Sequence, residues 1–277
     1  MDPSAGERGG YDVWLEACRR AVGAQRAIFA AHRGMAKRTV YEGIGEGGDR
    51  TLVIDRLCED AVFEQLERLH ADGHEFTAVS EERGEVAFGE GPVRVVIDPI
   101  DGSMNARRTA PQHCLSIAVA SGDSMDAVEF GFIHDFGADE EFSAVRGGGA
   151  LLDGEAVEIG LEPGLEAVGF EVALPEYVIP AAKELSGKAF RIRVLGSIAI
   201  ALAYTATARF DGMLTLKPCR SVDAAAGLLI VREAGGAVAL AETTLEAATL
   251  GLDVRYAVIA SRSPEDLATL VAAQAAV

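Results

Sequence analysis

The stretch VRVVIDPIDGSMNARR, residues 93–108, begins as a strand and ends as something else. Val93, Val95, Val96 and Ile97 form an apolar run that predicts a buried strand over 93–97. The run stops at Asp98 and Asp101, with Pro99 between them and Gly102, Ser103 and Asn105 after them. Propensity does not explain this pair. Asp is depleted in strands, and two carboxylates held close resist joint ionisation. A divalent cation removes the repulsion, and Mg²⁺ takes hard oxygen ligands, often a few carboxylates completed by water and substrate phosphate. Pro99 stiffens the step, and the Ile100 carbonyl offers a further oxygen, so the segment can bind or bridge two ions. If a helix begins just after Asp101, the backbone N–H groups of Gly102 and Ser103 form a phosphate cradle in its first turn. The same residues also read as a plain capped helix, with Asp101 or Ser103 as N-cap, worth about 1 kcal/mol. Spacing alone does not separate the two readings.

Outward from this stretch, the first half of the chain predicts helices over 11–36 and 51–70, on the recurrence of Val13, Trp14, Ala17, Cys18, Ala21 and Val22 and then of Ile54, Leu57, Cys58 and Ala61. Between them lies a glycine-rich loop ending at Asp49. Strands follow over 76–80, 115–120, 127–133 and 141–145, then a hairpin turning at Asp153-Gly154. Short strands joined by hairpins imply an α+β arrangement with a mainly antiparallel sheet. After about residue 160 strands (167–173, 190–195, 211–216, 236–240, 256–261) alternate with helices (196–210, 222–235 and a last one capped by Ser263), the α/β pattern. The expected organisation is an N-terminal α+β domain, 1–160, carrying the metal site, and a C-terminal α/β domain, 161–277, contributing Asp223. No linker or repeat separates them, so a cleft between closely packed halves is the expected place for a site.

Composition narrows the function. With 25 basic and 43 acidic residues the net charge is -18, which repels nucleic-acid phosphates. No apolar run approaches the ~18 residues of a membrane span, and the polar, acidic start lacks the marks of a signal peptide, so a cytoplasmic protein is expected. Cys18, Cys58, Cys114 and Cys219 form no CxxC, and the histidines form no HExxH. His113 reads as structural. Any metal must therefore rest on oxygen ligands. The acids beside turns and strand ends are Asp49, Glu81, Glu82, Asp98, Asp101 and Asp223.

These residues resemble a known family. VVIDPIDGSMN resembles the central signature of the inositol monophosphatase superfamily, and VDAAAGLLIVREAGG, residues 222–236, resembles its second. SEERGE at 80–85, GGDRTLVID and GGGALLDG are similar to three further family segments, in the family's order, over residues 47–236. The resemblance implies a layered α-β-α-β-α sandwich of the sugar phosphatase type. It implies dependence on two or three Mg²⁺ ions, or Mn²⁺, and hydrolysis of a small sugar or polyol phosphate, inositol 1-phosphate or fructose 1,6-bisphosphate, by an activated water. By position it puts Glu81, Asp98 and the Ile100 carbonyl on a first metal and Asp98, Asp101 and Asp223 on a second, with Glu81 reaching a third. It gives Asp49 and Ser103, beside Glu81, the orientation or deprotonation of the attacking water. Asp101 and the amides of Gly102 and Ser103 would hold the phosphate, and the Gly196-Ser197 turn would touch substrate. A homodimer is the family's habit.

The departures concern substrate. Ser103 replaces the usual Thr and keeps the hydroxyl; Val222 replaces a Trp; Leu216 stands where the animal-type enzymes carry a Glu for ring hydroxyls. Lys217 and Arg220 beside it suit a substrate with a second anionic group, and Arg191 and Arg193 are expected near the same rim. A phosphatase of 3'-phosphoadenosine 5'-phosphate or NADP is the alternative within the class, although no adenine-binding motif is visible. A non-catalytic metal-binding relative would tend to lose Glu81, Asp98, Asp101 or Asp223, and all four are present.

Overall fold

The computed structural model describes residues 10–44, 50–160 and 163–277. Helix α1 (Asp12–Ala31) and the single turn α2 (Met35–Arg38) precede a small antiparallel pair, β1 (Tyr41–Ile44) and β2 (Arg50–Leu52), and helix α3 (Val53–Ala71). Next come β3 (Phe76–Ser80), β4 (Gly84–Phe88), β5 (Arg94–Asp101), the short helix α4 (Ser103–Arg107), β6 (Cys114–Ala120), β7 (Val128–Asp135), β8 (Glu140–Val145), β9 (Gly149–Leu152) and β10 (Glu155–Ala156). These strands form an eight-stranded sheet in the order β10-β9-β8-β7-β6-β5-β3-β4. Its neighbours are antiparallel except for β3 and β5.

The rest of the chain runs β11 (Leu165–Glu171), α5 (Pro175–Glu184), β12 (Ala189–Arg193), α6 (Ile198–Ala206), β13 (Gly212–Thr215), β14 (Cys219–Arg220), α7 (Ser221–Glu233), β15 (Ala237–Leu240), β16 (Arg255–Tyr256), β17 (Val258–Ser261) and α8 (Pro264–Ala275). A five-stranded sheet orders them β12-β11-β13-β17-β15, and β14 pairs with β16. Its first three strands are parallel, and β17 is antiparallel to both its neighbours.

The side-chain period of two makes layers of these elements. On β5, Val95 and Ile97 face Trp14, Ala17, Phe63 and Leu66 of α1 and α3, while Val96 faces Ile200, Leu202, Ala225 and Leu228 of α6 and α7. On the other sheet, Met213, Val258 and Ala260 face the same two helices, and Leu214 and Ile259 face Ala181 and Leu270 of α5 and α8. The result is the layered α-β-α-β-α order. The small residues of α6 and α7 let this middle layer lie close to both sheets. A Cβ at Gly131 of β7, for example, would lie 2.8 Å from the Ala226 carbonyl oxygen of α7. Among the described residues no helix is long and apolar enough to cross a membrane.

Four details differ from the sequence reading. The first helix stops at Ala31 and resumes as a separate turn. Helix α5, with Pro175 in its first turn and Pro180 inside, was not expected, because an internal proline reads as a helix breaker. Strand β5 runs on through both aspartates. Asp98 pairs with Ser116 and Asp101 with Cys114, so three steps on β5 oppose two on β6, a bulge that re-aims the side chains. Finally, the N-cap of α4 is neither Asp101 nor Ser103. It is Gly102, left-handed at φ 89° and without a side-chain cap bond. A Cβ there would come within 2.6 Å of the Gln112 carbonyl oxygen.

Candidate active site

The bulged end of β5 meets the β3–β4 turn and the first turns of α4, α6 and α7. Asp98 is buried, and its Oδ1 accepts from the Ile100 N–H at 2.9 Å. The Ile100 carbonyl accepts the Ser103 hydroxyl at 2.9 Å. Asp101, also buried, accepts through Oδ2 from the Ser197 hydroxyl at 2.7 Å and the Ala199 N–H at 2.6 Å, both at the start of α6. Asp223, in the first turn of α7, accepts from the Arg220 N–H at 2.8 Å. The Arg220 guanidinium donates to the Glu81 carboxylate, and both side chains are largely shielded from solvent. Glu59 of α3 is buried and fixes the turn that carries Glu81: it accepts from the Ser80 hydroxyl and from the N–H groups of Glu82 at 3.3 Å and Arg83 at 3.2 Å.

Burial of so many acids shifts their protonation. Asp98 is held well above the usual carboxylate range, first by burial and then by the charges of Glu81, Asp101 and Asp223. Burial pushes Asp101 up to about 6, against its hydrogen bonds from Ser197 and Ala199. Burial also takes Asp223 to about 6, against the pull of Arg220. Glu171, at the end of β11, is pushed to about 8 by burial while it accepts from the Leu195 N–H at 3.0 Å and the Gly196 N–H at 2.8 Å.

Above this cluster lies a cavity of about 390 Å³ lined by Asp55, Glu81, Glu82, Ser103, Arg107 and Arg220, with Tyr41, Leu52 and Met104. Asp55 is the residue that sequence reasoning missed. It sits in the first turn of α3, where Oδ2 accepts from the Leu52 N–H at 3.2 Å. Among the described residues its buried Oδ1 has no hydrogen-bond partner. Burial raises its pKa to about 7, with Glu82 and Glu81 adding to the rise. Its sequence signal was an acid in the first helical turn after a glycine-rich loop, the place from which a side chain caps backbone N–H groups. A larger open cleft of about 590 Å³ between the starts of β11 and β12 includes Asp211 and Arg262. These two form an ion pair at 2.6 Å, and among the described residues no comparable cluster of buried acids lies there.

Of the expected residues, the structure brings together Glu81, Asp98, Ile100, Asp101, Gly102, Ser103, Arg220 and Asp223. Asp49 lies outside the described residues. Ser197 is 1% exposed, and its hydroxyl donates to Asp101 and accepts from the Ile200 N–H, so in this structure it positions Asp101. Gly196 is exposed, but its N–H is given to Glu171. Lys217 lies over the Tyr177 ring at 5.3 Å and is not among the cavity residues. Arg191 stacks on Phe190, and Arg193 bonds the Ile192 carbonyl, both on the exposed edge strand β12. His113 is structural, as read: it is buried and packed on Phe29 and Phe136.

The donor set suits a hard divalent cation, because it offers a neutral carbonyl oxygen and four clustered carboxylates whose negative charge Arg220 alone does not balance. Among the described residues, however, no three His, Cys, Asp or Glu side chains are arranged to hold one ion. The guanidinium of Arg220 stands on Glu81, where a cation would compete with it.

A model described as the inositol monophosphatase family matches residues 14–276. The chain belongs to the inositol monophosphatase family. The chain is similar to a curated protein named fructose-1,6-bisphosphatase/inositol-1-monophosphatase of Thermococcus kodakarensis, 36% identical over 207 residues, or 74% of this chain and 75% of that protein. The Archaeoglobus fulgidus protein of the same name is 31% identical over 240 residues, 86% of each chain. The fold is shared with a crystal structure described as an inositol monophosphatase-fructose 1,6-bisphosphatase, at TM-score 0.82 and 24% identity, covering 94% of this chain and 99% of that one.

Proposed function

We propose that the chain is a Mg²⁺-dependent phosphate-monoester hydrolase acting on a small sugar or polyol phosphate, inositol 1-phosphate or fructose 1,6-bisphosphate. The observation that carries this reading is the cluster of carboxylates around buried Asp98, with Glu81, Asp101 and Asp223 each raising its protonation, beside a charged cavity that Glu81 also lines. Glu81, Asp98, the Ile100 carbonyl, Asp101 and Asp223 would hold the cations. Bound divalent ions supply charge neutralisation for a phosphate dianion, a more acidic water and a stabilised leaving oxygen. The amides of Gly102 and Ser103 receive the phosphate at the start of α4. The Ser103 hydroxyl spends its proton on the Ile100 carbonyl, so it offers lone pairs, not a proton, to an attacking water. Asp55 takes the proton from that water: its free Oδ1 and a pKa raised to about 7 suit a base that works near neutrality. Tyr41 is the one aromatic ring among the described lining residues, which favours a small polar ester over an adenine nucleotide.

Phosphate release should be seen from at least one of fructose 1,6-bisphosphate, inositol 1-phosphate and 3'-phosphoadenosine 5'-phosphate with Mg²⁺, and chelation should abolish it. Release from none of them, across a wider ester panel, would overturn the reading. Asp55→Asn should lower kcat by about 10²-fold or more, the usual span of a lost general base, and should erase the acidic limb of the pH–rate profile. An unchanged limb would assign the proton transfer elsewhere.

A further inference from the structure

We propose that Arg107 binds a second anionic group of the substrate, so that this site prefers a sugar bisphosphate to a monophosphate. The inference rests on the phosphatase reading above and names its substrate class. Arg107 stands four residues after Ser103 on α4, and both line the cavity. Four residues of helix advance about 6 Å, and an Arg side chain adds its own reach, so the two positions span a sugar ring and not two adjacent phosphates.

The charges around the cavity single Arg107 out. Its walls carry Asp55, Glu81 and Glu82 against Arg107 and Arg220. Arg220 is spent on Glu81. Among the described residues Arg107 makes no ion pair; its Nη1 donates to the neutral hydroxyl of Tyr41 at 2.9 Å. A guanidinium has five N–H donors in a fixed fork, and a phosphate takes two of them in parallel. Lys217, Arg191 and Arg193, the cations that sequence placed at this rim, are turned to Tyr177, Phe190 and the Ile192 carbonyl. Arg107 and Asp55 line the same cavity, and the charge of Arg107 partly offsets the rise in the Asp55 pKa.

The test compares fructose 1,6-bisphosphate with fructose 1-phosphate and inositol 1-phosphate on the parent, Arg107→Ala, Arg107→Lys and, as a surface control, Arg191→Ala. The ratio of kcat/KM for bisphosphate over monophosphate should fall about 10-fold or more in Arg107→Ala, the scale of a lost charged hydrogen bond. The loss should lie mainly in KM and be partly restored by Arg107→Lys. Arg191→Ala should leave the ratio where it was. A ratio unmoved by Arg107→Ala, or a proportional loss on both ester classes, overturns the proposal. Calorimetric binding of the same esters in the presence of Mg²⁺ reads the same ratio without turnover. Equal bisphosphate affinity in parent and Arg107→Ala overturns the proposal there, even if the parent hydrolyses nothing and the phosphatase reading itself has failed.

Discussion

Asp98→Asn is expected to remove phosphate release, by on the order of 10³-fold or more, while leaving the protein folded. Metal-assisted charge stabilisation is worth several kcal/mol, and each ~1.4 kcal/mol is a factor of ten in rate. Asp98 is where that loss should be greatest, because Glu81, Asp101 and Asp223 all act on its charge. An amide keeps the shape of the side chain, and its oxygen can still accept from the Ile100 N–H, now at 2.9 Å, so the bulge has no reason to collapse. What disappears is one negative charge in a buried cluster of like charges. In chelator at pH 8 the variant should therefore melt no lower than the parent, and above it if relief of repulsion outweighs any loss in hydrogen bonding. Phosphate assays, circular dichroism and melting in EDTA check the three statements. An active Asp98→Asn protein would remove this aspartate from the centre of the site.

Much of this site was legible because aspartate is out of place at the end of an apolar strand. Asp98 and Asp101 violate strand propensity; the change of periodicity along the chain gave an α+β half followed by an α/β half, and the layered order came only from the resemblance to the family. Less legible was what each polar group does with its hydrogen bonds. Ser197 is 96 positions from Asp101, and nothing local says that its hydroxyl is buried against that carboxylate. Lys217 and Arg220 are near neighbours, yet one lies on a tyrosine ring and the other on Glu81: Arg220 sits on β14, held by its pairing with β16, and Lys217 lies before that strand. Asp55 and Glu59 stand four apart on one face of α3, a helical spacing visible in sequence. An acidic helix face is ordinarily a solvated one, and here the packing of α3 on the large sheet turns it inward. The bulge in β5 was equally hidden, since a Pro-Ile step does not reveal whether the strand ends or bends.

Without divalent cations the protein should lose stability as pH rises from about 4 to about 8. Asp101 and Asp223 are pushed to about 6, Asp55 to about 7 and Glu171 to about 8, all chiefly by burial. Each is an acid whose folded pKa lies above its unfolded value, so the folded state binds more protons across that window. The stability so gained is complete below the unfolded carboxylate pKa and is lost as pH climbs through the folded one. A rise of one unit is worth about 1.4 kcal/mol, so a single group taken from 3.8 to about 6 accounts for roughly 3 kcal/mol. Neighbours titrate together and do not simply add. At about 2–4 °C per kcal/mol for a chain of this class, Tm in EDTA should drop by on the order of 10 °C over the window. Mg²⁺ binds the ionised carboxylates of the folded state, so it should stabilise the protein, and raise Tm, most at the alkaline end, with a stabilisation of about 2.7 kcal/mol at a hundredfold excess over Kd. Glu171 gives its oxygens to the N–H groups of Leu195 and Gly196, apart from the proposed ligand set, so a shallow slope near pH 8 should persist in Mg²⁺ and flatten in Glu171→Gln. A Tm that rises with pH in EDTA would mean that these carboxylates are not held against ionisation, and the electrostatic basis of the cation site would go with them.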